Sequence, residues 1–298
     1  MLLPQKFQKL YLTPKLLKIK FSSLLVFVFV FYSCSSLPFI SDRCNFPEQA
    51  LEPGGILNLK KNDINHNLLH MDYLECGSGN NKRIIAPIAY NSDKRLFEVL
   101  GVKIEEKSFR NSYIKITDKK FNQISKEDLI RIENERKKYI NVLEKDYIAT
   151  NLTFPLLNPT KGITSSEYGV KRFINNVQRN PHLGLDIAAD VGTPVYAVAD
   201  GLILLSDNFF YRGNFILIGH DNNFKSSYSH LSEILVKQNE IVRKGQLIGL
   251  MGKSGRVTGS HLHFEVLFFN KKLNPELFIQ WVELLQECSI LSEDLLEL

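Results

Sequence analysis

Four histidines and one aspartate are the residues of this sequence best suited to chemistry. The stretch Thr258–Val266 places His261 and His263 two residues apart within an apolar run. Successive strand side chains alternate faces, so a strand here points both imidazoles one way and Leu262 into the core. Such a pair can share one metal ion, or supply one ligand and one proton-transfer group. A solitary His-x-His on a strand is ordinarily a solvated or core-edge pair; this one is distinguished by its company. His182-Leu-Gly-Leu-Asp186 offers an imidazole and a carboxylate at even spacing, and Tyr228-Ser-His230-Leu231 closes another strand-like run. These three segments hold four of the seven histidines. Together they supply His, Asp and His for a metal and leave two histidines for catalysis.

The elements that must position them are short strands. Beyond Phe154-Pro155, Lys161–Gly169 is turn-rich and Val191–Ala199 reads as a turn followed by a strand. Asp200-Gly201 is a hairpin signal before Leu202–Leu205, and Phe215–His220, Phe224–His230, Gln246–Met251 and His261–Phe268 continue the series. With hardly a helical period among them, residues 151–275 are predicted to form an all-β barrel or sandwich. His220, before the turn Asp221-Asn222-Asn223, is expected to be structural.

The whole chain is expected to be mainly β. Residues 53–124 carry short apolar runs broken by turn residues, Arg83–Tyr90, Leu96–Ile104 and Asn111–Ile116 among them, which predict a small β-sandwich. His66 and His70 lie there without a third ligand and read as surface residues. Ser125-Lys-Glu-Asp128 supplies an N-cap with acid in the first turn, so 125–150 is predicted as a helix linking two domains, solvated and acting as a spacer. At 276–298, Leu277, Trp281, Leu284, Leu285 and Cys288 recur at helical spacing and predict a C-terminal helix packed on the barrel.

At 298 residues, with 44% hydrophobic and 23% charged content, the chain is long enough for a sizeable core and ordinary in composition. Its formal charge of +5 is local: residues 1–33 hold Lys6, Lys9, Lys15, Lys18 and Lys20 and no acid. Without them the basic residues only equal the 32 acidic ones, so no nucleic-acid footprint is left. Those lysines followed by the apolar run Phe21–Tyr32 read as an export signal, too short for a membrane span. Ser33-Cys34, with Phe31 ahead of it, resembles a relaxed lipobox, so Cys34 is the expected lipidation site and 34–52 a lipidated linker. An oxidising compartment would permit a Cys44–Cys76 bridge and leave Cys288 over. Gly252-Lys253-Ser254 mimics the end of a phosphate-binding loop, but Leu247 stands where that loop needs glycine and no helix follows, so no nucleotide site is expected.

The run His182–Asp186, Gly192–Val195, Asp200-Gly201, Tyr228–Ser232, Lys244–Gly249 and Gly259–Glu265 resembles the lysostaphin/LytM-type zinc metallopeptidases, over about residues 155–275. The resemblance implies a murein endopeptidase that binds one Zn2+ per chain and cuts peptide crosslinks of peptidoglycan. By position it assigns His182, Asp186 and His263 to the zinc and His230 and His261 to an unliganded catalytic pair. A weaker similarity, from Pro53 through the helix near Glu133, is to the β-sandwich preceding the peptidase in some exported members. Three protein ligands leave a fourth tetrahedral position open, as a catalytic site requires. No histidine is followed by glutamate as in His-Glu-x-x-His, so one of His230 and His261 must accept the proton and the other stabilise the oxyanion or return the proton to the leaving amine. Tyr211 is a candidate substrate-binding residue near Gly213-Asn214. The implied location is the cell envelope or periplasm, anchored to a membrane through lipid. A non-catalytic murein-binding regulator that activates other hydrolases is the alternative; the presence of all five metal and catalytic positions favours the enzyme.

Overall fold

The computed structural model describes residues 49–63, 71–77, 81–144, 156–221 and 223–279. The expected export segment, Cys34, Cys44, His66, His70 and the tail with Trp281 and Cys288 lie outside the described residues. Among the described residues, no helix is long and apolar enough to cross a membrane.

The N-terminal region opens with β1 (Ile56–Lys60), β2 (Leu74–Cys76) and β3 (Arg83–Pro87), one antiparallel sheet in the order β1-β3-β2. It is closed by a helix, α1 (Lys94–Glu98), rather than by a second sheet. The run Leu96–Ile104 reads as a strand by composition, yet Asp93 caps its start by accepting from the Arg95 amide. A capped turn satisfies amides that a strand would need a neighbour to satisfy. Phe97, on α1, then joins Leu57, Ala86, Ile88, Val102 and Ile104 in a small core. Cys76 is disulfide-bonded.

Next come β4 (Asn111–Ile114), α2 (Lys119–Asn122) and α3 (Lys126–Leu143). The Ser125 hydroxyl accepts from the Asp128 amide, so α3 starts where the capping signal placed it. It does more than bridge. Tyr139, Val142 and Leu143 pack against Leu205, Phe209, Phe215 and Leu217 of the following region. Arg131 donates to the Asn208 carbonyl, and Glu135 accepts the Phe210 amide. Exposed ion pairs such as Lys138–Asp207 are worth under about 1 kcal/mol each, whereas burying one apolar side chain contributes roughly 1.5–3 kcal/mol, so the apolar seam fixes the helix. Ser125→Ala is expected to cost about 1 kcal/mol of stability while leaving the docked helix in place, measurable by urea unfolding.

The remaining strands are β5 (Ile163–Ser166), β6 (Lys171–Ile174), β7 (Val177–Gln178), β8 (Leu185–Ala188), β9 (Pro194–Tyr196), β10 (Gly201–Phe209), β11 (Gly213–Gly219), β12 (Phe224–Leu231), β13 (Glu233–Ile234), β14 (Ile241–Val242), β15 (Leu247–Leu250), β16 (His261–Phe268) and β17 (Lys271–Leu273), followed by α4 (Glu276–Ile279). The main sheet runs β14-β10-β11-β12-β16-β8-β5, with β17 on β16, and β13-β15-β9 forms a second sheet. Between them lies a core that includes Val195, Ile216, Tyr228, Ile248, Leu262 and Phe264. The Asp200-Gly201 hairpin does not form, because β9 pairs with β15 and β10 with β11 and β14. Asp200 instead accepts the Lys244 amide with its carboxylate. Sequence reading also passed over the β6–β7 hairpin, whose turn residues Asn175 and Asn176 both take positive φ. β4 pairs in parallel with β6, Asn111 opposite Lys171 and Ile114 opposite Ile174, so the N-terminal region supplies a strand that braces this hairpin.

Candidate metal centre and active site

Register brings the singled-out residues together. β16 lies between β8 and β12, with His263 opposite Asp186 on one side and Ser229 on the other. Leu262 points into the core and is fully buried, as alternation requires, leaving His261 and His263 on the opposite face. His182, just before β8, is locked by its amide to the Val170 carbonyl and by its own carbonyl to the Gly169 amide. Gly184 leaves room for the facing ring: a Cβ there would sit 2.7 Å from Cε1 of His263 and 2.7 Å from the Phe264 carbonyl.

Nε2 of His182 lies 2.9 Å from Oδ1 of Asp186, and Nδ1 of His263 lies 2.7 Å from the same oxygen. The two imidazole nitrogens are 2.9 Å apart. These three residues could hold a metal ion, since one donor atom from each lies within 4.8 Å of the others. Each donor is fixed from behind. Nδ1 of His182 donates to the Glu167 carbonyl at 2.8 Å, which leaves the Nε2 lone pair facing inward. Oδ2 of Asp186 accepts from Arg172 at 2.7 Å, and Nε2 of His263 meets Oε1 of Glu265 at 3.0 Å. Two imidazoles and a carboxylate, each oriented by an outer partner, fit a zinc-type tetrahedral centre with one open position.

Electrostatics follow from burial. Burial alone would raise the Asp186 carboxyl, but the His182 and His263 imidazoles set against it bring it well below the ordinary carboxylate range. Burial lowers His182; on His263 it is outweighed by Asp186 and Glu265, which raise that imidazole.

The other two histidines flank this cluster. The His230 and His261 rings lie 4.9 Å apart, and Nε2 of His261 is 3.9 Å from Oδ1 of Asp186. Between paired positions, β12 spends Ser229 and His230 where β11 spends only Phe215, and His230 takes φ +69° at this bulge. Such a backbone is uncommon for a residue other than glycine and is typical of functional sites. Nδ1 of His230 donates to the Ser254 carbonyl at 2.9 Å, and Nδ1 of His261 to the Gly259 carbonyl at 3.0 Å. In both rings Nε2 therefore keeps its lone pair. Burial, with His263 and His261 nearby, pulls His230 down to about 3.

The profile of peptidase family M23 matches residues 180–275, the stretch that contains all five residues. This stretch is an M23 peptidase domain. It is 47% identical over 94 residues to the peptidoglycan DD-endopeptidase ShyA of Vibrio cholerae serotype O1, a match covering 32% of this chain and 22% of that protein. A longer match, 29% identical over 254 residues, is to an uncharacterized metalloprotease of Buchnera aphidicola, covering 78% of this chain and 64% of that one. The fold is shared with a peptidase M23 crystal structure from Pseudomonas aeruginosa, with a TM-score of 0.59, 23% identity, and coverage of 78% of this chain and 96% of that one.

Two residues around the site of this M23 domain escaped sequence reading. Arg172 was not singled out because it lies on the unforeseen hairpin, yet it holds the second oxygen of Asp186. Glu265 sits in the strand motif but had no assigned role. It is almost fully buried, accepting from Ser227 at 2.9 Å, Arg212 at 3.1 Å and Lys272 at 2.5 Å. A glutamate two residues beyond His263 on the same strand face is the signal that could have found it. Tyr211 stands one step away from the cluster: its ring carries the Arg256 guanidinium at 4.4 Å. His220 bonds the Asp200 carbonyl and Ser226 within the core, a structural role, and burial pulls it to about 4.

Proposed function

We propose that the chain is a zinc-dependent endopeptidase that hydrolyses peptide crosslinks of peptidoglycan, with one Zn2+ held by His182, Asp186 and His263. The observation that carries this reading is the convergence of Nε2 of His182, Oδ1 of Asp186 and Nδ1 of His263 on one point beside two further histidines. When bound there, zinc supplies Lewis acidity that polarises a carbonyl and makes water nucleophilic near neutral pH. The protein does the rest. His230 and His261 anchor Nδ1–H on backbone carbonyls and offer Nε2 as acceptor for the attacking water's proton. One of the two accepts that proton, and the other stabilises the oxyanion or returns a proton to the leaving amine. Tyr211 contributes to substrate binding by supporting Arg256 at the groove wall.

The substrate class is supported by the V. cholerae relative being a peptidoglycan DD-endopeptidase, within the 22% of its length that is matched. Residues 1–33 then act as an export signal, and Cys34 as a lipid anchor that holds the enzyme in the cell envelope or periplasm. Digestion of purified sacculi by the zinc-loaded protein tests the reading. The wild type is expected to release muropeptides, and His230→Ala and His261→Ala each to slow release by roughly 100- to 10,000-fold. A wild type as inactive as both variants would sink the enzyme and favour the non-catalytic regulator.

A further inference from the structure

A groove of about 810 Å³ opens beside the candidate centre, and its wall includes His182, His263, Arg172, Arg179, Arg256 and Lys272. Two of the four cations are spoken for: Arg172 pairs with Asp186, and Lys272 with Glu265. Arg179 and Arg256 make no ion pair among the described residues. The backbone of each is anchored by structure around it. Arg179 follows β7 and its amide donates to the Arg172 carbonyl, while the hairpin turn is gripped by the Asn175 side chain, which accepts from the Ile116 amide. Arg256 stacks on Tyr211 and its amide donates to the Tyr211 carbonyl. Burial lowers the pKa of Arg256, Tyr211 opposes that, and the like charges of Arg172 and Arg179 add to the lowering.

Unpaired guanidinium groups kept within one another's field cost Coulomb energy that an anion between them recovers. Planar guanidinium forks match the geometry of a carboxylate. We propose that Arg179 and Arg256 form a carboxylate-recognition subsite, so that the preferred peptide carries a free carboxylate next to the bond cut. The proposal rests on the peptidase reading for its substrate class; phosphate-bearing ligands are the competing occupants.

The test is calorimetric. Twin crosslinked peptides, one with a free carboxylate beside the scissile bond and one with that group amidated, are titrated into the full chain without zinc. The free acid is expected to bind roughly tenfold to a hundredfold more tightly to the wild type. Arg179→Gln and Arg179→Gln/Arg256→Gln are expected to erase that preference. The exposed Arg179 variant guards against misfolding of the stacked Arg256. Equal binding of the twins to the wild type, a preference kept by the double variant, or tighter binding of inorganic phosphate than of the free acid would overturn the subsite. Hydrolysis with zinc, measured in parallel, separates the two claims. Equal kcat/KM on both twins removes the subsite alone, whereas a carboxylate preference in binding without any hydrolysis supports the subsite and removes the peptidase.

Discussion

Asp186→Ala is expected to abolish both zinc binding and muropeptide release. One of its oxygens faces His182 and His263 and the other holds Arg172, so the substitution removes a proposed ligand and the group that orients its neighbours. Changes to groups that merely orient a ligand typically cost about 10- to 100-fold in affinity or activity, and loss of the ligand itself should exceed that. Metal content after dialysis and sacculus digestion measure the two losses. Wild-type zinc affinity in Asp186→Ala would place the centre elsewhere. The same carboxylate makes an acid-stability prediction. Its folded pKa lies well below its ordinary value, so it contributes stability above the unfolded pKa of about 3.9. That contribution is lost as pH falls toward the folded pKa. Asp186→Asn, which keeps the shape without the charge, is therefore expected to flatten the acid limb of the zinc-free protein's unfolding curve.

Glu265→Ala is expected to destabilise the protein by about 3–5 kcal/mol, the usual cost of leaving buried charges without their partner. Its carboxylate is 3% exposed and faces Arg212, Lys272 and His263 at once. Burial opposes its ionisation, but Arg212 and Lys272 overcome that and hold it well below the ordinary range. Replacement by Gln keeps one acceptor and most of the packing, so Glu265→Gln should fall between wild type and Ala. Denaturant unfolding of the three proteins checks the order. An unchanged midpoint for Glu265→Ala would mean that this network contributes nothing net. Loss of the Glu265 acceptor also frees the His263 ring to rotate, so zinc affinity should drop even at temperatures where the variant is folded.

Much of the site was legible before any coordinates. Alternation along β16 dictates that His261 and His263 share a face, and a cap at Ser125 dictates where α3 begins, because both are consequences of local backbone geometry. Composition likewise foretold a mainly β chain, since short apolar runs between turn residues have few other solutions. Local signals were weaker where two states compete. Asp93 turned an apolar run into a helix, and Asp200-Gly201 made no hairpin because its flanking strands were claimed by different sheets.

By itself, then, the sequence determined which side chains stand on one face of one strand and which segments repeat as strands. Only the tertiary structure decided what meets across strands. The pairing of Arg172 with Asp186, of Arg212 with Glu265 fifty-three residues away, and of β4 with β6 depends on register and twist summed over the whole sheet. The choice of which nitrogen of each imidazole faces the centre is settled the same way, by carbonyls such as Glu167, Ser254 and Gly259 that the fold delivers to the opposite edge of the ring.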